Sequence, residues 1–171
     1  MPRCKKTVTL AVLAFWPVLA AAQVCKTQSI LATTPTHLFT SHNDGTVTDS
    51  RTGLMWQQCS VGQSGAACSG KAVTYTWQDA LHYAQNLNAN GGFAGYTDWR
   101  LPNIKELSSI VEDQCVDPAI NATVFPNTPS RLFWSSSPDA YRSNGAWGVR
   151  FSMGVTGVGI KDGGYYVRLV R

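Results

Sequence analysis

Four cysteines, Cys25, Cys59, Cys68 and Cys115, constrain this chain more than any other feature, because the residues before them read as an export leader. Arg3, Lys5 and Lys6 form a positive start, Thr7 to Leu19 is almost uninterruptedly apolar, and Ala20-Ala21-Ala22 supplies small residues for cleavage ahead of Gln23. This layout predicts a secretory signal peptide over residues 1–22, too short for a permanent membrane span. Gln23-Val24-Cys25 lacks the small residues that a lipidated cysteine needs, so a soluble product is expected. The product is secreted or periplasmic, with no integral membrane segment once the signal is removed. A fifth cysteine, Cys4, leaves with the leader. Four cysteines in an oxidising compartment predict two disulfides, with three connectivities open. The favoured one is Cys59–Cys68, closing a Gly/Ser/Ala-rich loop, with Cys25–Cys115 tying residues 23–44, an N-terminal arm, to the body. Zinc is the competing use of four cysteines. The sequence has no Cys-x-x-Cys pair, and His37, His42 and His82 are scattered, so no metal and no cofactor is expected.

Without the leader, eleven basic and ten acidic side chains remain, a balance of +1, and nucleic acid is not an expected partner. The charge is unevenly spread. Residues 23–129 carry −3, whereas residues 130–171 carry +4 through Arg131, Arg142, Arg150, Lys161, Arg168 and Arg171 against Asp139 and Asp162. A basic C-terminal third attracts polyanions such as sulfated polysaccharides, although a solvated mixed-charge surface is the commoner use of such a balance.

Two helices are predicted. Thr76 is an N-cap with Asp79 three residues on, Trp77, Ala80, Leu81, Ala84 and Leu87 share a face, and Asn90-Gly91-Gly92 stops the helix. Asn103, with Glu106 three residues later, opens a second helix whose stripe is Ile104, Leu107, Ile110 and Val111. Phe93–Leu101 reads as a turn running into a short strand. Residues 132–137, 146–151, 155–160 and 165–171 read as strands, and Phe39, Thr46–Asp49 and Leu54–Trp56 as an early hairpin with a turn at Asp44-Gly45. The fold class is α+β, two helices packed on a mostly antiparallel twisted sheet with long loops.

Five blocks now carry a resemblance. They are Thr48-Asp49-Ser50-Arg51-Thr52-Gly53-Leu54-Met55-Trp56; Gly95-Tyr96-Thr97-Asp98-Trp99-Arg100-Leu101-Pro102-Asn103-Ile104-Lys105-Glu106-Leu107; Phe133-Trp134-Ser135-Ser136-Ser137; Ala146-Trp147-x-Val149-x-Phe151; and Tyr166-Val167-Arg168-x-Val170-Arg171. In this order they resemble the Legionella collagen-like protein C-terminal domain family over residues 45–171. The resemblance implies a C-type-lectin-like fold, and adhesion by secreted or surface proteins, including binding of sulfated glycosaminoglycans. No collagen-like Gly-x-y stretch precedes the domain, and the calcium-dependent lectin signatures Glu-Pro-Asn, Gln-Pro-Asp and Trp-Asn-Asp are absent.

Trp56, Trp99, Trp134 and Trp147 suit sugar stacking, but within strand motifs they are better read as core. Asp98 and Arg100 are expected to pair across Trp99, and Arg168 and Arg171 to cap the sheet through carbonyls or carboxylates. Asn121-Ala122-Thr123 matches a glycosylation acceptor of little weight in a bacterial-type chain. Neither G-x-S-x-G nor H-E-x-x-H occurs, and Glu106 and Glu112 are the only glutamates, so no enzyme activity is expected. The ligand-binding candidates are Tyr141, Arg142 and Asn144 in a polar loop that also holds Asp139 and Ser143, with Arg150, Ser152, Lys161 and Tyr165 on the same face. The expected function is a secreted, non-catalytic adhesion module for an anionic polysaccharide or a surface protein. A structural subunit of a pilus or envelope assembly is the alternative, and a hydrolase or formylglycine-generating-like oxidase the remotest.

Overall fold

The computed structural model describes residues 22–171, so all of the predicted leader except its last residue lies outside the described residues. The strands are β1 (Val24–Cys25), β2 (Phe39–Ser41), β3 (Thr46–Asp49), β4 (Met55–Gln57), β5 (Thr74–Tyr75), β6 (Cys115–Val116), β7 (Leu132–Pro138), β8 (Gly145–Arg150), β9 (Val155–Ile160) and β10 (Tyr165–Tyr166). The α-helices are α1 (Trp77–Ala89) and α2 (Ile104–Ser108). The α+β class with mostly antiparallel pairing holds, but the strands form three sheets rather than one: β1-β6, β2-β3-β4, and the five-stranded β5-β10-β7-β8-β9. Among the described residues, only β10 and β7 run parallel.

Local chemistry sets the helix starts. The Thr76 hydroxyl accepts from Asp79 N at 3.2 Å, and Asn103 with Glu106 makes the reciprocal capping box. α2 is shorter than its apolar stripe suggested. Ile110 and Val111 are buried, yet they follow the helix in a turn that leads into the segment carrying Cys115. Apolar spacing marks the buried face, and continues after the backbone has left the helix.

The central sheet has a core on each side. Phe133, Val149 and Phe151 join Trp56, Leu107, Ile110 and Phe125 on one side; Trp134, Ala146 and Val167 join Trp99, Ala80 and Ala84 beneath α1 on the other. Trp56, Trp99 and Trp134 are buried, as expected. Trp134 is seated because Gly159 faces it: a Cβ there would stand 2.7 Å from the rings of both Trp134 and Tyr165. Both favoured disulfides are present, Cys25–Cys115 and Cys59–Cys68. The first joins β1 to β6 directly, since Cys25 and Cys115 are register partners.

Residues 165–171 do not form one strand. After β10, the chain connects to several segments in turn: Val61 N donates to Val167 O, Gln57 N to Leu169 O, and Arg100 with Val170 and Met55 with Arg171 each exchange both backbone bonds. This lacing explains the fully buried Arg168. Its guanidinium donates to the carbonyls of Gln57 (3.1 Å) and Gln58 and to the Thr128 hydroxyl (2.7 Å), and lies 4.7 Å from the Phe125 ring centre. No carboxylate pairs with it among the described residues, and burial pushes its pKa down to about 9, still cationic at neutral pH. Arg171 instead meets a carboxylate, Asp98 at 2.7 Å, while Arg100 makes a two-pronged pair with Glu106 at 2.7 Å on both prongs. The expected Asp98–Arg100 pair is thus replaced by two others, because Glu106 of α2 offers Arg100 a two-pronged partner and the closing segment brings Arg171 to Asp98.

Glu112 anchors the N-terminal arm. At 2 % exposure, its carboxylate accepts from the backbone N–H and the hydroxyl of both Thr33 and Thr34, and from Gln114 N. Burial raises its pKa, but these donors outweigh burial and leave the carboxyl below the ordinary glutamate value. A depressed folded-state pKa stabilises the protein above the unfolded-state value and loses that stability as pH falls through the folded-state value. Glu112→Gln is expected to cost about 1–3 kcal/mol at pH 7, since its NH2 must face N–H and O–H donors. Urea titrations at falling pH check this: the gap between wild type and variant should narrow below about pH 4.3.

Candidate functional site

The hairpin between β7 and β8 carries the most exposed aromatic side chain of the described protein, Tyr141 at 96 %. Its backbone is fixed from within. Asp139, 7 % exposed, accepts from Tyr141 N at 3.0 Å, its own N–H donates to Gly145 O, and Arg142 Nε lies 3.7 Å from its carboxylate. An aspartate turned inward to hold a loop is the usual device for fixing a tight reversal. Lys161 braces the hairpin from the side. Its N–H donates to Asn144 O at 2.8 Å, its Nζ donates to Ser143 O at 2.7 Å, and the same ammonium lies 4.7 Å from the centre of the Trp77 ring on α1.

The structure therefore brings together Tyr141, Arg142, Asn144 and Lys161, the last as a brace. It does not bring in the other candidates. Arg150 ends β8, Ser152 lies in the turn beyond it, and the six-residue strand puts about 17 Å between them and the hairpin tip. Tyr165 is half-buried, edge-on to Trp134 with ring centres 4.7 Å apart. The basic C-terminal third is likewise dispersed: Arg142 and Lys161 at one end, Arg131 and Arg150 at the other, Arg168 in the core and Arg171 on Asp98. Asn121 is committed as well, its amide donating to Thr34 O at 2.8 Å and to the Thr36 hydroxyl.

The strand-motif reading of Trp147 as core needs correction. Its side chain is half-buried and lines an open groove of about 570 Å³ with Ile104, Lys105, Ser108, Ser109 and Thr156. Its cross-strand partner on β9 is Val158, and Gly157 and Gly159 fall on the opposite face of the sheet, so no local pattern marked this ring as uncovered. Among the described residues, no three of His, Cys, Asp and Glu come together as a metal group, and no helix is long and apolar enough to cross a membrane.

Asp98, Trp99, Arg100 and Glu106 at the centre, and Arg168 and Arg171 at the close, thus act as a connected framework. The family model of the Lcl C-terminal domain matches residues 45–171. The chain belongs to this family. In this Lcl C-terminal domain the matched motif residues build the scaffold, while the exposed hairpin tip lies between the motif blocks. No curated protein matches the sequence.

Proposed function

We propose that the protein is an exported, non-catalytic binding module that engages a polysaccharide or protein surface through the β7–β8 hairpin, on a C-type-lectin-like scaffold. The observation that carries this reading is Tyr141, at 96 % exposure on a tip whose backbone is held by Asp139 and Lys161. A rigid, amphipathic ring presented to solvent loses little conformational freedom on contact, which is why such residues dominate recognition loops. Arg142 beside it favours an anionic chain. Family membership and two disulfides support a place outside the cytoplasm. The non-catalytic reading is supported by the two glutamates, both held in structural hydrogen bonds.

Retention on immobilised sulfated polysaccharide tests the proposal. Tyr141→Ala with Arg142→Ala should weaken binding roughly tenfold without lowering the melting temperature. Elution of wild type below about 0.15 M salt, with no change in the double variant, rejects it.

A second reading, as a subunit of an envelope assembly, is favoured by one feature. The N-terminal arm exposes Leu31 at 92 % and Val24 at 59 %, beside Val116 at 40 % on the paired strand. Cross-linking in intact cells through the arm rather than the hairpin distinguishes it.

A further inference from the structure

A second concavity lies away from the hairpin tip, with a volume of about 860 Å³, within the range of ligand sites. Its walls differ in chemistry. α1 and the loop after it supply Tyr83, Leu87 and Phe93; the end of β4, the disulfide loop and the β2–β3 turn supply Gln57, Gln63 and Asn43. Gly45 brings two of these segments together, because a Cβ there would stand 2.8 Å from the Phe93 ring. The whole lining run from Cys59 to Ala66 belongs to the ring closed by Cys59–Cys68, so that bridge holds one wall in place.

Charge narrows the ligand. Asp44 is the one charged residue among those lining the cleft; no lysine, arginine or histidine joins it. The Thr46 hydroxyl, donating to the Asp44 carboxylate at 2.6 Å, holds its pKa below the ordinary value, so it is anionic at neutral pH. A sulfated or carboxylated ligand meets only repulsion there.

The amides have open hydrogen-bonding capacity. Gln57 is 8 % exposed, lines the cleft, and its side-chain amide has no partner among the described residues. Gln63 donates to Asn127 O at 2.9 Å, but its Oε1 has no partner. The Gln57 amide touches solvent in the cleft, where a ligand hydroxyl or water can complete it, whereas the Gln63 Oε1 is shut from solvent and its amide must turn to meet a ligand. An amide both donates and accepts, as does a sugar hydroxyl, and the C–H face of a pyranose packs against aromatic and aliphatic side chains.

We infer that this cleft is a binding site for an uncharged saccharide, separate from the hairpin tip, with Gln57 and Gln63 meeting hydroxyls and Tyr83 and Phe93 meeting the C–H face. The test is a titration of the folded chain with cellotetraose, maltotetraose, mannotetraose and chitotetraose, followed through backbone amide shifts. At least one should bind with a Kd of about 1 mM or tighter and move the signals of Gly45, Gln57, Gln63 and Phe93. Raising salt from about 0.05 to about 0.5 M should leave its affinity unchanged, since no ion pair is involved. Tyr141→Ala with Arg142→Ala should also leave it unchanged, which separates this site from the hairpin proposal. Gln57→Leu, of similar volume, and Tyr83→Ala, on the other wall, should each weaken binding about tenfold, their spectra reporting that the fold is kept. Four results overturn the inference: none of the sugars binds, the shifts cluster at residues 139–144, both folded variants bind as wild type, or uncharged tetrapeptides move the cleft signals while the sugars do not.

Discussion

Removing the Cys25–Cys115 bridge is expected to destabilise the protein by about 4–5 kcal/mol, whereas removing Cys59–Cys68 should cost about 2–3 kcal/mol. The difference follows from the chain each bridge closes, since the cysteines are 90 residues apart in one and 9 in the other. A longer loop gives the unfolded chain more freedom to lose, so its closure restricts that state more. The long bridge has a second role, holding two-residue β1 on two-residue β6 where two register pairs alone could not. Melting of Cys25→Ala with Cys115→Ala should therefore show a midpoint lower by about 10–15 °C, with the arm losing amide protection first. A smaller fall than for Cys59→Ala with Cys68→Ala would refute this ordering.

The second large effect is expected at Arg168. Truncation to alanine removes a buried cation and leaves the carbonyls of Gln57 and Gln58 and the Thr128 hydroxyl without their donor, together with a cavity against Phe125. The combined loss is about 3–5 kcal/mol. Arg168→Met isolates the polar part: it refills the space but supplies no donors, so it should recover part of the loss and not all of it. Urea midpoints of the two variants measure this. Full recovery by methionine would mean that volume alone matters at this position.

What the sequence disclosed follows from the range of the forces involved. Helix starts were legible because caps act over three residues, as at Thr76–Asp79 and Asn103–Glu106. β9 was legible, bounds included, because its pattern and its flanking turns, Ser152-Met153-Gly154 and Lys161-Asp162-Gly163, are local. The disulfide partners were favoured from loop composition and count, and both bridges are present in the structure. The pairing of Arg100 was misjudged because an adjacent carboxylate at Asp98 looked sufficient, yet the next turn of chain places Glu106 in the better two-pronged geometry. The closing segment was read as a strand because it alternates, but it meets several different neighbours in turn and forms no continuous ladder.

Sites were harder to see than elements. The hairpin tip was legible as a polar loop with an aromatic, since its residues are contiguous. Arg150 and Ser152 were grouped with it by sequence nearness, which a straight strand of six residues converts into separation. The amide-lined cleft has no local signature: its walls come from residues near 43, 57–66, 83–87 and 93, and only the fold unites them.

The lacing of residues 167–171 onto Met55, Gln57, Val61 and Arg100 also orders events during synthesis. A growing polypeptide can close the β2-β3-β4 meander early, but Arg168 cannot reach the carbonyls of Gln57 and Gln58 until almost the whole matched region has left the ribosome. Until then the half that contains Trp56 lacks its last partners. Closure of the core around Trp56 therefore waits on the arrival of residues 167–171.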